Sequence, residues 1–334
     1  MLNKDIYPYD PIATAVLNAL ETSKKFIGLN YLAKVKKTKT AKKFTLYQYK
    51  DGNKLAGNRG IGSTAQRLDI QRGRQLDVEM LDMLVETIIN QSELNAKNLI
   101  DWQTGKKATA SSAQTTARLK NKLAIEGRLE YAFWESARLG TISAIANVDQ
   151  GEVSIDFNVS GHTIASTTTA DWDSLGGDMA GDLATLITTL SEANIEDIVV
   201  FYNATTGKVI YDAAKGDFGT ISEEFKKDLT YGKPGIVPNG FMGLNWVKAN
   251  HSYLNASGTA TKFLTDYYIY MMPKNAAQAW ELDGAPNNNT GKPGFVSHNY
   301  KTPGMPFDIV EQAAMTALPS LVNPWAIQCF KIRV

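Results

Sequence analysis

The sequence is short of cysteine: Cys329 is the single one among 334 residues, so no disulfide can form within the chain. It also has no run of eighteen apolar residues, and its first 25 residues lack the apolar stretch of a signal peptide. Positive charge is not in excess, because 35 Lys and Arg face 34 Asp and Glu. We therefore expect a protein of a reducing compartment, without a membrane segment and without nucleic-acid binding through bulk charge.

Groups that carry catalysis are scarce as well. The three histidines, His162, His251 and His298, are scattered without metal-ligand spacing, and no nucleophile motif of the G-x-S-x-G type is present. Two Thr-Gly-Lys triplets, 206–208 and 290–292, lack the upstream glycine and downstream hydroxyl of a phosphate loop. The first triplet predicts a hairpin turn between two strands. No catalytic residue, metal ligand or cofactor is predicted.

One group of acids is an exception to this scarcity. Asp171, Asp173, Asp178 and Asp182 partly imitate the spacing of a calcium loop, with Asp182 at its twelfth position, but Leu175 occupies a position that needs an oxygen ligand. N-capping by Asp178 of a helix over 178–194 is the favoured interpretation. If the chain were an α/β hydrolase or a binding module, Asp171, Asp173 and Asp178 would be its candidate acids.

Charge is distributed unevenly in the first third of the chain. Residues 22–50 contain nine lysines and no acid, whereas residues 77–101 contain six acids and one lysine. Residues 42–57 alternate apolar and polar side chains and contain Asp51-Gly52, which predicts a β-hairpin with a solvated lysine face. The acidic stretch is predicted to be partly helical over 80–91.

The longest regular pattern lies at 110–140. It has no proline and, before its end, one glycine, Gly127, so it predicts a helix of about 46 Å. Gly140 stands where a C-cap belongs, and Gly127 is expected to permit a bend or a close backbone approach. The predicted buried face comprises Ile125, Leu129, Ala132, Phe133 and Ala137, and the charged remainder comprises Arg118, Lys122, Glu126, Arg128, Glu130, Glu135 and Arg138.

Short elements alternate after this helix. The pattern predicts two strands joined near 149–151, a helix from 178, a strand–turn–strand unit over 195–212, strands and loops over 232–274, and a final strand over 325–334. The fold class that follows is α+β.

Four segments carry a resemblance to a known family. RLKNKLAIEGRLEYAFWESARLGTI (118–142) looks like its spine helix, and VSIDFNV followed by TADWDSLGGDMAGDLATLI is similar to the strand and Trp-Asp lead into its A domain. KFLTDYYIYMMPKNA and LVNPWAIQCFKIRV look like its late A-domain strand and its terminal strand. In this order, the segments resemble the tailed-bacteriophage major capsid proteins of the E family, which have the Hong Kong 97-type fold.

The resemblance implies a division of the chain. The implied parts are an N-terminal arm at 1–32, an extended E-loop at 33–78, a P domain at 79–170 that includes the spine helix at about 110–140, an A domain at 171–294 and a return to the P domain at 295–334. No long charged helical segment precedes the arm, so a separate scaffolding protein is expected.

The resemblance also implies a function. A non-enzymatic structural protein of this family self-assembles, as hexamers and pentamers, into an icosahedral shell that encloses double-stranded phage DNA without sequence-specific binding. Such a protein is part of the virion, is assembled in the host cytoplasm, needs no cofactor, and works with separate scaffolding, portal and decoration proteins. A cellular nanocompartment shell of the same fold is the alternative within this class.

Contacts between copies are expected where opposite charges gather. An isolated two-stranded ribbon is marginal in water, so the arm and ribbon are predicted to be completed by another copy. Each exposed charge pair contributes only about 0–1 kcal/mol, which keeps such contacts reversible. The candidate contact residues are Lys34, Lys36, Lys37, Lys39, Lys42, Lys43, Asp77, Glu79, Asp82, Glu86, Arg118, Glu126, Arg128, Glu130, Glu135 and Arg138.

Overall fold

A computed structural model describes residues 26–31, 35–38, 43–48, 74–91, 110–145, 154–157, 165–192, 197–215, 235–255, 258–273, 277–282, 295–303, 307–321 and 323–333. Their helices are α1 (Ile27–Tyr31), α2 (Ala110–Leu139), α3 (Met179–Glu192) and α4 (Ala204–Lys215). Their strands are β1 (Val35–Thr38), β2 (Lys43–Gln48), β3 (Arg74–Glu79), β4 (Leu81–Ile89), β5 (Thr141–Ser143), β6 (Ser154–Asp156), β7 (Ala165–Thr167), β8 (Ile198–Tyr202), β9 (Asn245–Lys248), β10 (Ser252–Leu254), β11 (Ala260–Lys262), β12 (Tyr268–Pro273), β13 (Ala277–Leu282), β14 (Val296–Lys301), β15 (Ile309–Leu321) and β16 (Gln328–Lys331).

One sheet is built around the long strand β15. Strand β4 runs antiparallel along one side of β15, and β14 and β13 pair antiparallel with it on the other side. Strand β1 adds to β13 in parallel. Helix α2 packs across β15 and β4 and covers one face, and we call this unit the helix-backed sheet. The prediction missed β15, because the prolines of the C-terminal segment favoured irregular structure.

Strand β4 corrects the prediction of partly helical structure over 80–91. Its apolar residues come in pairs four positions apart, a spacing that also suits a helix. Instead, nine residues of β4 pair with β15, from Leu81 opposite Ala317 to Ile89 opposite Ile309. Burial alternates along it, with Leu84 exposed on the face away from α2. Pairing with a long neighbouring strand outweighs the local pattern.

A second sheet has the strand order β7-β16-β12-β8-β9 and lies with α3 and α4 around a separate apolar core. The largest fully buried side chains of this core are Trp172, Tyr202 and Phe241. The final strand predicted at the C-terminus is confirmed as β16, and it pairs with β12 and β7. Strand β13 pairs instead with β1 and β15, in the helix-backed sheet.

Helix α4 corrects the prediction of a strand–turn–strand unit over 195–212. The strand β8 is present, but the next residues form a helix whose first turn contains the triplet 206–208. Asn203 caps this helix, because its Oδ1 accepts a hydrogen bond from the Thr206 N–H at 2.9 Å. A Cβ on Gly207 would lie 2.5 Å from the Gly235 carbonyl oxygen, so the glycine permits close packing.

Several predicted elements are confirmed. Helix α2 covers Ala110–Leu139 and ends at Gly140, which has φ of 73° and donates its N–H to the Ser136 carbonyl oxygen at 2.8 Å. Strands β5 and β6 pair antiparallel, as expected for two strands joined near 149–151. The cap of α3 is also confirmed, since the Gly181 N–H donates to Asp178 Oδ1 at 2.9 Å.

Strands β2 and β3 form a two-stranded ribbon with a register from Lys43 opposite Glu79 to Gln48 opposite Arg74. Residues 49–73 connect the two strands. Within the described residues the partner of β2 is therefore β3, not a segment directly across the predicted turn at Asp51-Gly52, which lies outside them.

Candidate assembly surfaces

The two faces of the ribbon differ sharply. Leu46, Val78 and Met80 on one face are nearly inaccessible and join the apolar core beneath α2. Gln48 fixes the same face, because its Nε2 donates to the Leu321 carbonyl oxygen at 3.1 Å. Tyr47 on the other face is 61% exposed. The ribbon therefore offers one face for contacts with another molecule.

Three predicted contact residues of the ribbon have partners in their own chain. The Lys43 ammonium lies 3.4 Å from the Glu79 carboxylate, and both side chains are largely exposed. Thr45 Oγ1 donates to Asp77 Oδ1 at 2.7 Å. Such exposed pairs stabilise the ribbon by about 0–1 kcal/mol each and stay available to a neighbour.

The other predicted lysines are placed only in part. Lys36 and Lys37 lie in β1, opposite Trp280 and Glu281 of β13 in the backbone register. Lys34, Lys39 and Lys42 lie outside the described residues.

The face of the helix-backed sheet opposite α2 carries both acids and apolar side chains. Asp82 accepts a hydrogen bond from Thr316 Oγ1 at 3.0 Å, and Glu86 accepts one from Gln312 Nε2. Leu84 and Ile88, which alternate with these acids on β4, are 51% and 64% exposed. Two predicted contact residues therefore lie on a mixed polar and apolar surface.

Helix α2 holds one charged pair against the sheet. Arg118 Nε donates to Glu311 Oε1 at 2.6 Å, and the Glu311 side chain is completely buried. Ser297 Oγ donates to the same oxygen at 2.5 Å, whereas Glu311 Oε2 has no hydrogen-bond partner among the described residues. Asn121 Nδ2 donates to the Glu311 carbonyl oxygen at 2.8 Å. The predicted contact residue Arg118 thus binds the core of its own chain.

The C-terminal half of α2 has a partly exposed charged side. Arg128 Nη2 donates to the Ser143 carbonyl oxygen at 3.2 Å, and the Ser143 N–H donates to Glu135 Oε2 at 3.1 Å. Burial raises the pKa of Glu135, although the positive charges of Arg128 and Arg138 act against this. Nearer the start of α2, the Lys122 ammonium lies 3.7 Å from the Glu126 carboxylate.

Glu130 corrects the expectation that the charged residues of α2 lie on its surface. The residue is 2% exposed, and its carboxylate accepts three hydrogen bonds. The Gly28 and Leu29 N–H groups each donate at 2.8 Å, and Trp134 Nε1 donates at 2.6 Å. Burial raises the pKa of Glu130 more than these three donors lower it. A helical-wheel signal existed, since Glu130 shares a face with Trp134 and Ala137.

This carboxylate anchors the described part of the arm. The first N–H groups of α1 find their acceptor on α2, and Phe26 packs edge-on against Phe263 with ring centroids 6.0 Å apart. In residues 26–31, in β1 and in the ribbon, the chain supplies its own partners. The expectation that only another copy completes the arm and ribbon is therefore wrong for these residues.

The acids proposed for a hydrolase have structural partners. Asp171 and Asp173 lie 3.3 Å and 3.6 Å from the Arg333 guanidinium, and Asp178 caps α3. In the described part of the chain, no cluster of His, Cys, Asp and Glu has the arrangement of a metal site. None of the helices described there is both long enough and apolar enough to span a membrane.

Comparison with solved structures identifies a capsid fold. The capsid protein of a GTA particle covers 92% of this chain and 90% of its own with a TM-score of 0.56 at 12% identity, and that of cyanophage P-SCSP1u covers 91% and 87% with 0.54 at 14%. A phage-related protein from Bordetella bronchiseptica RB50 covers 97% and 96% with a TM-score of 0.53 at 13% identity. These likenesses confirm the α+β capsid fold.

Comparison with protein families gives the membership. No curated protein sequence matches the chain. The family model described as phage major capsid protein E matches residues 13–328, nearly the whole length. The chain therefore belongs to the phage major capsid protein E family, as a structural component of a virion that self-assembles into a shell.

Proposed function

We propose that copies of this chain assemble as hexamers and pentamers into an icosahedral shell around double-stranded phage DNA. The family match over residues 13–328 is the observation that carries the proposal. The architecture supports it, because a 30-residue helix packed along a 13-residue strand gives the subunit a stiff body. The proposal places the chain in the virion rather than in a cellular nanocompartment.

The implied division of the chain is part of the proposal. Residues 1–32 serve as the arm, 33–78 as the E-loop, 79–170 and 295–334 as the P domain, and 171–294 as the A domain. In this division the helix-backed sheet corresponds to the P domain, and the second sheet corresponds to the A domain. Strands β7, β13 and β16 cross these limits, since each lies in the sheet assigned to the other domain.

The contacts between copies are proposed at the exposed charges. Lys43, Asp77 and Glu79 occupy the ribbon, and Glu86 and Glu135 are partly exposed on the body. These groups already have weak partners within the chain. Contact with a neighbouring copy therefore replaces one exposed partner by another at little cost in free energy. Exchange of this kind allows a growing shell to release misplaced subunits.

Other partners and the place of assembly are also proposed. Separate scaffolding, portal and decoration proteins complete the particle, which is assembled in the host cytoplasm. The net charge of +1 supports packaging by confinement, without sequence-specific contacts to DNA. No catalytic step is assigned to the chain.

Assembly of the purified full chain tests the function. We expect sedimentation velocity to give large particles and negative-stain microscopy to show closed shells, capsomers or sheets, with assembly weakened at high salt because screening shortens the range of exposed charges. Coexpression with the neighbouring phage genes is expected to yield particles with nuclease-protected DNA. A full chain that stays monomeric at all concentrations and salt levels, with and without those proteins, contradicts the proposal.

A further inference from the structure

The loop that leads into α3 carries an apolar side chain at its tip. Leu175 is 105% exposed, more than any other large apolar residue in the described ranges, whereas Trp172 is completely buried. The tip is a β-turn, because the Gly177 N–H donates to the Ser174 carbonyl oxygen at 3.1 Å. Gly176 has φ of +96°, as the third position of a type II turn requires. Leu175 therefore occupies the second position of a defined turn.

The base of this loop is fixed on both sides. Trp172 donates from Nε1 to Asp182 Oδ2 at 2.7 Å and from its backbone N–H to the Ile332 carbonyl oxygen at 3.2 Å. A Cβ on Gly177 would lie 2.3 Å from the Asp171 carbonyl oxygen, so the two ends of the loop pack closely. Because the backbone of such a loop is already anchored, binding at its tip orders little further backbone.

The fold itself gives Leu175 no role. It belongs to neither of the two large core clusters, although a single exposed leucine is common on soluble proteins. What distinguishes Leu175 is the combination of complete exposure with a stiff, anchored turn. A polar residue would satisfy the second position of this turn equally well.

We propose that Leu175 is a contact residue between copies, inserted among apolar side chains of a second copy of this chain. This inference rests on the proposed function. One leucine offers far less than the roughly 800 Å² per partner of a stable interface, so it cannot hold a separate partner by itself. It contributes only where other contacts already hold two surfaces together. Within the proposed hexamers and pentamers of this chain, the neighbour held in that way is another copy.

Two substitutions at the same position test the contact. Leu175→Ser removes the apolar side chain, and Leu175→Met keeps apolar surface as the matched control. We expect particle formation by L175S to need about tenfold more protein or worse, the order of effect of losing one buried leucine side chain. L175M is expected to stay close to wild type. Thermal unfolding of dissociated subunits is expected to be unchanged in both, since Leu175 lies outside the core.

The outcomes separate the two proposals. If wild type assembles and L175S assembles at the same concentration, the contact is wrong while the proposed function stands. Equal losses in L175S and L175M overturn the contact too, because methionine retains the apolar surface. A wild-type chain that never assembles overturns both.

A thiol at the tip gives an independent readout. The native Cys329 is completely buried, and burial raises its pKa, so Leu175→Cys adds the reactive thiol. We expect a maleimide to label L175C at least about tenfold more slowly in particles than in dissociated subunits, because the contact excludes reagent and solvent. Equal labelling rates in the two states overturn the proposal.

Discussion

The backbone N–H of Gly28 donates a hydrogen bond to Glu130 Oε1 at 2.8 Å, across 102 positions of sequence. Leu29 and Trp134 donate to the same carboxylate. A buried side chain of α2 thus caps the short helix α1 and holds residues 26–31 against α2.

Replacement of Glu130 by alanine is expected to release this segment. Glu130→Ala leaves two backbone N–H groups and the indole N–H buried without their acceptor, and we expect the free energy of unfolding to fall by about 2–4 kcal/mol. Hydrogen exchange at residues 26–31 is expected to accelerate. Glu126→Ala, one turn earlier at a site that is 30% exposed, is the control with an expected loss of about 0.5 kcal/mol. Similar losses in both variants contradict the capping role.

The pH dependence of stability is expected to carry the signature of Glu130. Its pKa is raised above 4.5 in the folded chain, chiefly by burial. As pH rises past the unfolded value, the unfolded chain releases its proton first, so the contribution of this group is full in acid and is lost as pH rises through the folded pKa.

Urea unfolding of wild type and Glu130→Gln between acid and neutral pH measures this contribution. The stability of wild type relative to E130Q is expected to fall with rising pH, at no more than about 1.4 kcal/mol per pH unit, and then level off. Glu135 titrates in both proteins, so its contribution cancels in the difference between wild type and E130Q. A difference that grows with pH would mean that the three donors outweigh burial.

Two glycines near this contact are expected to respond to alanine with opposite signs. A Cβ on Gly28 would lie 2.5 Å from Phe133 Cδ1, and that ring is buried, so Gly28→Ala is expected to cost about 1–3 kcal/mol. A Cβ on Gly127 meets its nearest neighbours, Phe26 and Phe263, at 3.9 Å. Gly127→Ala is therefore expected to stabilise the chain by about 0.5–1 kcal/mol. Chemical denaturation of both variants checks the signs.

The spacing around Gly127 also corrects the sequence-based explanation of this residue. A bend or a close backbone approach was expected there. The close approach is absent, since 3.9 Å is ordinary van der Waals distance, and the bend stays a prediction. Close approaches by atoms from other elements of the chain are found instead at Gly28 and Gly207. Local sequence gives the position of a glycine but not what packs against it.

The elements predicted correctly are those decided by local forces. Helix α2 has an unbroken periodic pattern and a terminating glycine, and α3 has an aspartate cap. By contrast, the prediction gave β4 as partly helical and α4 as part of a strand–turn–strand unit. Their apolar spacing suits either a helix or a strand, so contacts with other parts of the chain decide between the two. Strand β4 is fixed by β15, more than 200 positions away in sequence, and α4 packs closely on the backbone at Gly235. The cap of α4, Asn203, is a local signal that the prediction missed.

Among the candidate contact residues, too, local sequence predicts some positions correctly and distant contacts decide others. Exposure of Lys43 and Glu79 follows from strand alternation, whereas burial of Glu130 depends on a segment 100 positions earlier. The buried acceptor Glu311 was not predicted at all. Its signal was weak, a single acid in the otherwise neutral run 309–321, and a lone charge in such a run also suits a solvated edge.

Arg118 and Glu311 provide the last test, because a buried ion pair behaves differently from an exposed one. Arg118→Leu leaves the Glu311 carboxylate completely buried without its cation, and we expect a loss of about 3–5 kcal/mol. The double variant Arg118→Leu/Glu311→Leu removes both charges and retains apolar volume, so it is expected to regain most of that stability. Urea unfolding of wild type, both single variants and the double variant gives the coupling energy. If the double variant is no more stable than Arg118→Leu alone, the arginine acts through its packing on the sheet rather than through the carboxylate.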